Sequence, residues 1–273
     1  MDIFAPSYYK NFKCIAQNCK NNCCIGWEID IDNTSLSYYK DKYDIFRHIS
    51  LEGDPHFIMD KNGRCPLLDE KNLCEIIKNY GENHLCQICS DHPRFINYYD
   101  TRTEIGLGLT CEEAAKLIID NKFTLEKIGE DDGIPFPNED EADFFILRDK
   151  YLYCDFSELK KWAPDITVDE ISRFLKGLER LDNKWDIYLN KLKNTKQNIK
   201  DIEITDVNKA ENLFSYFLFR HLYETDIQFC LVCTLIVLEI SDNIYESARM
   251  FSSEIEYSDE NIERLYSFIK NKS

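Results

Sequence analysis

Four segments in the C-terminal half of the sequence repeat apolar residues with the spacing of an α-helix. The first opens with Thr167 and Glu170, three residues apart, which is the pattern of a capping box at a helix N-terminus. The apolar positions of that first segment are Ile171, Phe174, Leu175, Leu178 and Leu181. Similar spacing follows at Leu213, Phe214, Phe217 and Leu218, along the apolar stretch from 227 to 240, and at Ile262, Leu265, Phe268 and Ile269. These patterns predict amphipathic helices with short connections, as in a helical bundle.

The N-terminal half shows less periodicity. Residues 27–32 alternate apolar and polar side chains, which predicts one short strand. Thr110 and Glu113 form a second candidate capping box, ahead of a helical pattern that includes Ala114 and Leu117. Cys111 is then expected as the first residue of that helix, where the helix dipole favours a thiolate.

The segment 129–143 separates the two halves and reads as an exposed linker, since it contains two Pro, two Gly and a run of acidic residues. We therefore predict a cysteine-cluster metal-binding domain at 1–128, an acidic linker at 129–143 and a helical domain at 144–273. The predicted fold class is mainly α, with an irregular, metal-stapled domain packed on a bundle-like one.

The charge of the chain restricts its partners. A formal net charge of −17 argues against nucleic acid, because binding to phosphates requires clustered Lys and Arg. The imbalance is concentrated in residues 126–273, which carry a net −12. That excess indicates either a solvated helix surface or recruitment of a basic partner. The start of the sequence lacks the pattern of a targeting peptide, and the longest apolar stretch falls short of the roughly 20 residues that span a bilayer, so we expect a cytoplasmic protein without membrane contact.

Twelve cysteines are present, and nine of them precede residue 112. In a reducing compartment disulfides are not expected, and crowded thiols indicate metal binding. Short spacings allow one loop to wrap a metal while a distant cysteine completes its coordination. The predicted ligands are Cys14, Cys19, Cys23, Cys24, Cys65, Cys74, Cys86, Cys89 and Cys111. Nine thiols exceed the four that one centre requires, so two centres are possible. The alternative is a set of buried free cysteines that act as small apolar residues.

The spacing of the cysteines defines the identity of the metal less clearly than it indicates metal binding. Only Cys86 and Cys89 form the C-x-x-C pair typical of mononuclear zinc sites, and the other intervals are broad and irregular. This irregularity favours an iron–sulfur cluster, 4Fe–4S in type, with zinc as the alternative.

Two residues close to Cys89 are candidates for cofactor binding. His92 is a possible fourth ligand or a donor to a ligand, although a hydrogen-bonded structural histidine fits the sequence as well. Arg94 has the forked geometry that suits a carboxylate, and a structural salt bridge is its alternative role. Cys230 and Cys233 lie in the most apolar helical segment and are predicted to be core residues.

Several sequence blocks resemble a known family. They are Phe12–Cys14, Cys23–Trp27, Cys65–Leu68, Leu73–Ile76, Cys89–Arg94, Gly108–Ala115 and Ser253–Asn261. The first five resemble the YkgJ-type zinc- or iron-chelating cysteine-cluster proteins, and the last two favour, within that group, the flagellin lysine-N-methylase (FliB) family. The resemblance implies methylation of lysine amines of flagellin, with S-adenosylmethionine as methyl donor and an iron–sulfur cluster in the enzyme. It implies no catalytic base at a position of this sequence. The competing hypothesis is a non-catalytic protein that stores, senses or delivers iron or zinc.

Overall fold

The computed structural model describes residues 1–152, 154–192 and 197–272. The chain forms two compact units. Unit 1 consists of Met1–Phe12 and Ile96–Ser273, and unit 2 consists of Lys13–Phe95. This division differs from the sequence-based boundaries at 128 and 144, because an N-terminal segment and residues 96–128 pack with the helical half.

About 49% of the residues are helical, which confirms the prediction of a mainly α protein. The helices of unit 2 are α1 (Asn33–Tyr39), α2 (Tyr43–Phe46), α3 (Glu75–Tyr80) and α4 (Gln87–Asp91). The helices of unit 1 are α5 (Glu112–Asp120), α6 (Glu139–Leu152), α7 (Phe156–Leu159), α8 (Val168–Lys176), α9 (Trp185–Leu189), α10 (Val207–His221), α11 (Ile227–Ile240), α12 (Ile244–Phe251) and α13 (Asp259–Lys270). A π-helical segment, Ser252–Glu256, connects α12 to the turn before α13.

The described part of the chain also contains a four-stranded sheet that the hydrophobic pattern did not predict. Its strands are β1 (Asp2–Pro6), β4 (Arg94–Tyr98), β5 (Thr103–Leu107) and β6 (Leu125–Glu130), in the order β4-β5-β1-β6. β1 pairs in parallel with β5 and antiparallel with β6. Two further strands, β2 (Ile49–Ser50) and β3 (His56–Phe57), pair within unit 2.

Helix ends in unit 1 follow from local sequence. Thr167 and Glu170 form the predicted capping box of α8, in which both reciprocal hydrogen bonds are present. Aspartates at 206 and 226 cap α10 and α11 through their carboxylates. Helix α11 is apolar on nearly all sides and is buried, as expected for a helix without a polar face.

Unit 2 has a separate small core. Its buried residues are Ile29, Ile31, Leu36, Tyr39, Ile45, Phe57, Cys65, Leu67, Ile76 and Cys86. The helices around this core are only four to seven residues long, and helices of that length depend on tertiary contacts for stability.

Several local predictions were wrong. Ile29 and Ile31 are buried, but within residues 27–32 only Asp30 pairs, through an isolated bridge to His56, so this described stretch does not form a regular strand. Helix α8 ends at Lys176, so Leu178 and the exposed Leu181 lie beyond it. The predicted linker contributes to β6 up to Glu130 and to α6 from Glu139.

The capping box predicted at Thr110 and Glu113 was also wrong. The N-cap residue of α5 is Cys111, whose side chain makes no capping hydrogen bond, and the helix begins at Glu112. The hydroxyl of Thr110 is instead hydrogen bonded to that of Ser253, 2.9 Å away.

None of the helices in the described ranges is long and apolar enough to cross a bilayer.

Candidate functional site

Unit 2 brings together a group of cysteines far apart in sequence. Cys65 and Cys86 belong to its buried core, and Cys24, Cys74 and Cys89 pack against that core. Their thiols are also close enough to influence one another electrostatically. We call these five residues, together with Cys23, the thiol group. All six are among the predicted metal ligands.

The backbone explains how two members of the thiol group meet. The N–H of Cys65 donates to the carbonyl of Cys24, at 2.9 Å. Two residues away in each segment, the N–H of Gly26 donates to the carbonyl of Gly63, also at 2.9 Å. Both glycines have positive φ, and a Cβ at Gly63 would lie 3.3 Å from the backbone of Gly26. Glycine is therefore required for this close approach of the two segments.

Short helices position the other members. Cys74 is the N-cap residue of α3, and Cys86 is the N-cap residue of α4. Cys89 lies in the first turn of α4, and its N–H donates to the carbonyl of Cys86 at 3.0 Å. The C-x-x-C pair thus sits at a helix start, where free N–H groups and the helix dipole stabilise negative charge.

Within two pairs of cysteines, a hydrogen bond lowers the pKa of one thiol and raises the pKa of the other. Cys24 donates to Cys23, and this hydrogen bond together with His92 lowers the pKa of Cys23 well below its ordinary value despite burial, whereas the pKa of Cys24 is raised. In the same way, the hydrogen bond between Cys86 and Cys89 lowers the pKa of Cys86 and raises that of Cys89. Burial is the main reason that the pKa of Cys65 is raised to about 11. In each pair one sulfur therefore ionises more readily than its neighbour, and the thiolate is the form that binds metal and acts as a nucleophile.

His92 lies beside the thiol group. Its ring interacts with the Cys23 sulfur and is tilted against the indole of Trp27, with ring centroids 6.3 Å apart. The Trp27 indole N–H in turn donates to the carbonyl of Cys23. The Nε2 atom of His92 is buried and has no hydrogen-bond partner among the residues that the structure describes. An unpaired buried nitrogen of this kind is costly unless another group completes its contacts.

Arg94 has a different environment. It is exposed, and its guanidinium donates to the carbonyl of Ser90 at 2.9 Å. That contact closes the C-terminal end of α4. Its predicted role in binding a carboxylate stays a prediction.

The remaining predicted ligands lie in different surroundings. Cys14 is exposed, and its sulfur accepts from the N–H of Ala16. Cys19 donates to the carbonyl of Asn21, at 3.4 Å. Cys111 belongs to unit 1, where it lies close to Tyr257. The structure therefore gathers six of the nine predicted ligands into the thiol group.

The thiol group suits a soft metal by its chemistry, because thiolates are the preferred ligands of zinc and iron–sulfur clusters. The unpaired nitrogen of His92 adds a further donor of the type that zinc accepts. Among the described residues, however, no three or more Cys, His, Asp or Glu side chains stand in an arrangement that could hold a metal ion. The donor set therefore fits a metal chemically, while four of its six thiols form two hydrogen-bonded pairs.

Unit 1 contains a second arrangement that sequence reasoning missed. The blocks 108–115 and 253–261 are far apart in sequence, yet they meet at the hydrogen bond between Thr110 and Ser253. Next to it, the N–H of Leu109 lies 3.4 Å from the Tyr216 hydroxyl, which donates to Glu256 at 2.9 Å. We call this contact region the block junction. It includes the π-helical segment, a distortion that is frequent at functional sites.

A buried charge network underlies the block junction. Glu256 accepts hydrogen bonds from Tyr216 and from His221 Nε2, the latter at 2.6 Å, and Arg220 lies 3.5 Å from the same carboxylate. Burial alone would raise the pKa of Glu256, but Arg220 and His221 outweigh it and lower that pKa to about 2. Burial also lowers the pKa of His221, in spite of Glu256. At neutral pH the network therefore contains a carboxylate, a guanidinium and a neutral imidazole.

Little in the sequence indicated this network. The sequence pattern assigns no role to His221, Tyr216 or Arg220, and Glu256 enters only as part of the block Ser253–Asn261. The available signal was the spacing of Tyr216 and Arg220, four residues apart, which places them on one face of α10. Their partner Glu256 comes from a distant segment that no local pattern connects to α10.

A third polar cluster of unit 1 anchors helix α6 to the sheet. The guanidinium of Arg148 binds both oxygens of Glu104 on β5, at 2.7 and 2.8 Å, and both side chains are fully buried. Arg102 contacts the same carboxylate at 2.6 Å and stacks on the ring of Phe145. Two guanidinium groups thus share one carboxylate, in the bidentate geometry that favours arginine.

Cys230 and Cys233 are core residues, as predicted. Both are buried in α11, and burial raises the pKa of each thiol above its ordinary value. They therefore remain protonated and pack as small apolar groups.

The fold and the thiol group define a mainly helical, cysteine-rich protein. The chain is 29% identical over 132 residues to proteins named Lysine-N-methylase from Salmonella typhimurium (strain LT2) and Salmonella choleraesuis (strain SC-B67). Each of these matches covers 44% of this chain and 33% of the relative. A flagellar biosynthetic protein, FliU of Salmonella muenchen, is also 29% identical over 132 residues, and 78% of its length is covered.

These relatives confirm the resemblance to the FliB family. The matched region spans about a third of the length of the two lysine-N-methylases. No family model matches the chain, and no solved structure does.

Proposed function

We propose that the protein is a protein-lysine N-methyltransferase that acts on flagellin. The observation that carries this proposal is the similarity to two proteins named Lysine-N-methylase and to the flagellar protein FliU. S-adenosylmethionine is the proposed methyl donor, and an iron–sulfur cluster bound by the thiol group is the proposed metal cofactor, with zinc as the alternative. His92 and Arg94 are proposed as cofactor-binding residues beside that group.

The reaction requires a neutral lysine amine. A lysine side chain is mostly protonated at neutral pH, so it must lose a proton through desolvation or to a nearby base before it can attack. S-adenosylmethionine would supply a methyl group on a sulfonium, whose carbon–sulfur bond breaks as the nitrogen–carbon bond forms. The amine then carries an extra positive charge and releases its proton.

We place the substrate or donor contacts at the block junction. Two blocks of the family resemblance meet there, and the neutral imidazole of His221 lies in the network below it. In this proposal Glu256 is a positioning residue, because it holds Tyr216, which in turn contacts the Leu109 backbone. No residue of this chain is proposed as the catalytic base.

The direct test is incubation of the purified protein with flagellin monomer and S-adenosylmethionine, followed by mass spectrometry of the flagellin peptides. We expect a mass increase of one or more methyl groups on lysine residues. A reaction without S-adenosylmethionine and one with heat-denatured protein serve as controls. Unmodified flagellin from metal-replete protein would refute the proposed function.

A second candidate function is iron or zinc binding without catalysis. It is favoured by the thiol group, because six cysteines gather in one unit that has its own core. Anaerobic purification followed by metal analysis and visible spectroscopy distinguishes the metals, since iron–sulfur clusters are coloured and zinc thiolates are not. Bound metal combined with no methylation of flagellin would favour this candidate over the methyltransferase.

A further inference from the structure

Helix α6 buries two charged side chains and exposes two apolar ones. Two of its charged residues, Glu141 and Arg148, are 2% and 0% exposed, whereas Ile146 is 70% exposed and Leu147 is 45% exposed. Amphipathic helices of globular proteins ordinarily show the opposite pattern. An exposed apolar pair on a helix that buries two of its charged side chains therefore requires an explanation.

Polar contacts account for the buried side of α6. Arg148 forms the bidentate pair with Glu104, and the Glu141 carboxylate accepts from the N–H groups of Asp100 and Thr101, at 2.6 and 3.1 Å. Glu141 and Arg148 are seven residues apart, which is about two helical turns, so they occupy the same face. These contacts fix the rotation of α6 about its axis.

The same rotation directs the apolar residues outward. With 100° per residue, Ile146 points roughly 160° away from Arg148 and roughly 140° away from Glu141. Leu147 follows at the edge of that face. Because the anchors are hydrogen-bonded ion pairs and caps, α6 cannot turn its apolar residues inward without breaking several buried polar contacts, each of which is costly.

The surroundings of the apolar pair are acidic. The exposed residues Asp143 and Asp149 lie three positions before and after Ile146, on neighbouring turns of the same side. Glu139 is exposed two turns earlier on that side, and Lys150 is the one basic residue among these neighbours. We define Ile146, Leu147, Asp143 and Asp149 as the outer face of α6. The charge around it is negative, in keeping with the net −12 of residues 126–273.

The negative charge of the outer face of α6 indicates which kind of partner binds there. A second copy of the chain would bring the same acidic residues against themselves in a two-fold contact, and like charges opposed in an interface are unfavourable. A segment with apolar residues flanked by lysines would instead satisfy both the apolar pair and the acidic rim. We propose that the outer face of α6 binds the lysine-bearing segment of the protein substrate, an inference that rests on the proposed methyltransferase function.

The experiment measures binding and methylation separately. Binding of labelled flagellin monomer is followed by fluorescence anisotropy for the wild type, for Ile146→Ser with Leu147→Ser, and for Asp143→Asn with Asp149→Asn. Ile187→Ser in α9, which removes an isoleucine that is 60% exposed elsewhere in unit 1, is the matched control. Thermal melts confirm that each variant is folded.

We expect both double variants to bind flagellin about tenfold or more weakly, since two apolar side chains or two charges leave the interface. The affinity of the wild type should fall with added salt, and the Asp143/Asp149 variant should lose most of that salt dependence. Ile187→Ser should bind like the wild type. Unchanged affinity in the double variants, or no binding by the wild type, would overturn the inference.

The assay also separates failure of the surface from failure of the function. Methylation of flagellin by the double serine variant with an unchanged KM refutes the surface and leaves the function intact. Weakened binding by that variant, combined with no methylation by the wild type, supports the surface and refutes the function. Dimers of the wild type that dissociate in the double serine variant, seen by sedimentation, would identify a second copy as the occupant and overturn the proposal.

Discussion

Cys65 is the most informative single residue of the thiol group, because it lies in the core of unit 2 and its backbone joins the Cys24 segment. If it binds metal, Cys65→Ala removes a ligand and the folding free energy that metal binding supplies, for which about 10 kcal/mol per structural zinc site gives the scale. We expect metal-depleted protein with a lower melting temperature, as measured by metal analysis and calorimetry. Cys154→Ala, outside the thiol group, is the control and should keep its metal. Full metal content in the Cys65 variant would exclude Cys65 as a ligand.

Cys230 and Cys233 illustrate a different role of the same residue type. Both are buried in α11, so replacing them with Ala removes volume from the core of unit 1. We expect the double variant to retain its metal and to lose roughly 1–2 kcal/mol in the free energy of unfolding. Denaturant titration and metal analysis test the two parts. Loss of a stoichiometric metal would add these cysteines to the ligands.

Arg94 tests the proposed donor contact at the level of one functional group. Arg94→Lys keeps the positive charge but loses the two-pronged geometry that suits a carboxylate. If Arg94 binds the methionine carboxylate of the donor, S-adenosylmethionine should bind about tenfold more weakly, on the order of 1.4 kcal/mol, with unchanged metal content. Isothermal titration measures the affinity, and Arg264→Lys, on the surface of α13, is the matched control. Equal affinities in Arg94→Lys and the wild type would assign Arg94 a structural role.

At the scale of elements, Glu256 connects the π-helical segment to α10, and its charge has a measurable pH dependence. The folded-state pKa lies near 2, below the ordinary value of 4.5, so the stabilisation is present in full above about pH 4.5 and is lost as the pH falls toward 2. Glu256→Gln leaves Arg220 buried without its charge partner. We expect a loss of about 3 kcal/mol at pH 7, a scale that both the pKa shift and the breaking of buried ion pairs support.

The pH profile provides the check on that interpretation. Urea denaturation of the wild type and Glu256→Gln should show a difference in stability that narrows once the pH drops below about 4.5. Glu263→Gln, an exposed residue of α13, should match the wild type throughout. A difference that stays constant with pH would mean that the carboxylate charge does not cause the stabilisation.

The sequence predicted an element correctly where residues close together in sequence determine that element. The capping box of α8 and the apolar run of α11 are local signals, and both elements are found. Thr110 had the same capping pattern as Thr167, but its hydroxyl pairs with Ser253, a partner from a distant segment. The four-stranded sheet was not predicted because its strands are short and apolar and polar residues do not alternate along them. β1 and β5 are both half-buried or buried along their whole length, so neither shows one exposed and one buried face.

The residues of the candidate sites were likewise predicted only where a local sequence pattern identifies them. The crowding of cysteines along the sequence indicated the candidate ligands, and six of the nine predicted ligands form the thiol group. Short spacing accounts only for the pairs Cys23–Cys24 and Cys86–Cys89, because Cys65 joins Cys24 through a contact between segments distant in sequence. Spacing could not indicate that Cys111 belongs to unit 1, since that depends on β5 joining β1 in one sheet. The Glu256 network and the burial of charged side chains on α6 depend on contacts between segments distant in sequence, so no local pattern revealed them.

At the scale of the whole molecule, the two units differ in what holds them together. Unit 1 buries long helices such as α10 and α11, whereas unit 2 has short helices and a core that includes thiols. If the thiol group binds metal as proposed, removal of that metal with a chelator should unfold unit 2 selectively, because the free energy of binding would then contribute to its folding. Hydrogen exchange with mass spectrometry should show loss of protection in residues 13–95 and retained protection in α10 and α11. Equal loss in both units, or no loss in either, would contradict this prediction.

The pairing of β1 with β5 has a consequence for the order of folding. Ile3 pairs with Thr103, about 100 residues later, and the whole of unit 2 lies between them. During synthesis β1 leaves the ribosome before unit 2, and its partner strands follow after it. If unit 2 folds around its metal first, the flexible chain that the sheet must close shortens from about 100 residues to about 20, which lowers the closure entropy cost by roughly 1 kcal/mol. The supply of metal would then influence the rate at which the four-stranded sheet forms, although that sheet contains no residue of the thiol group.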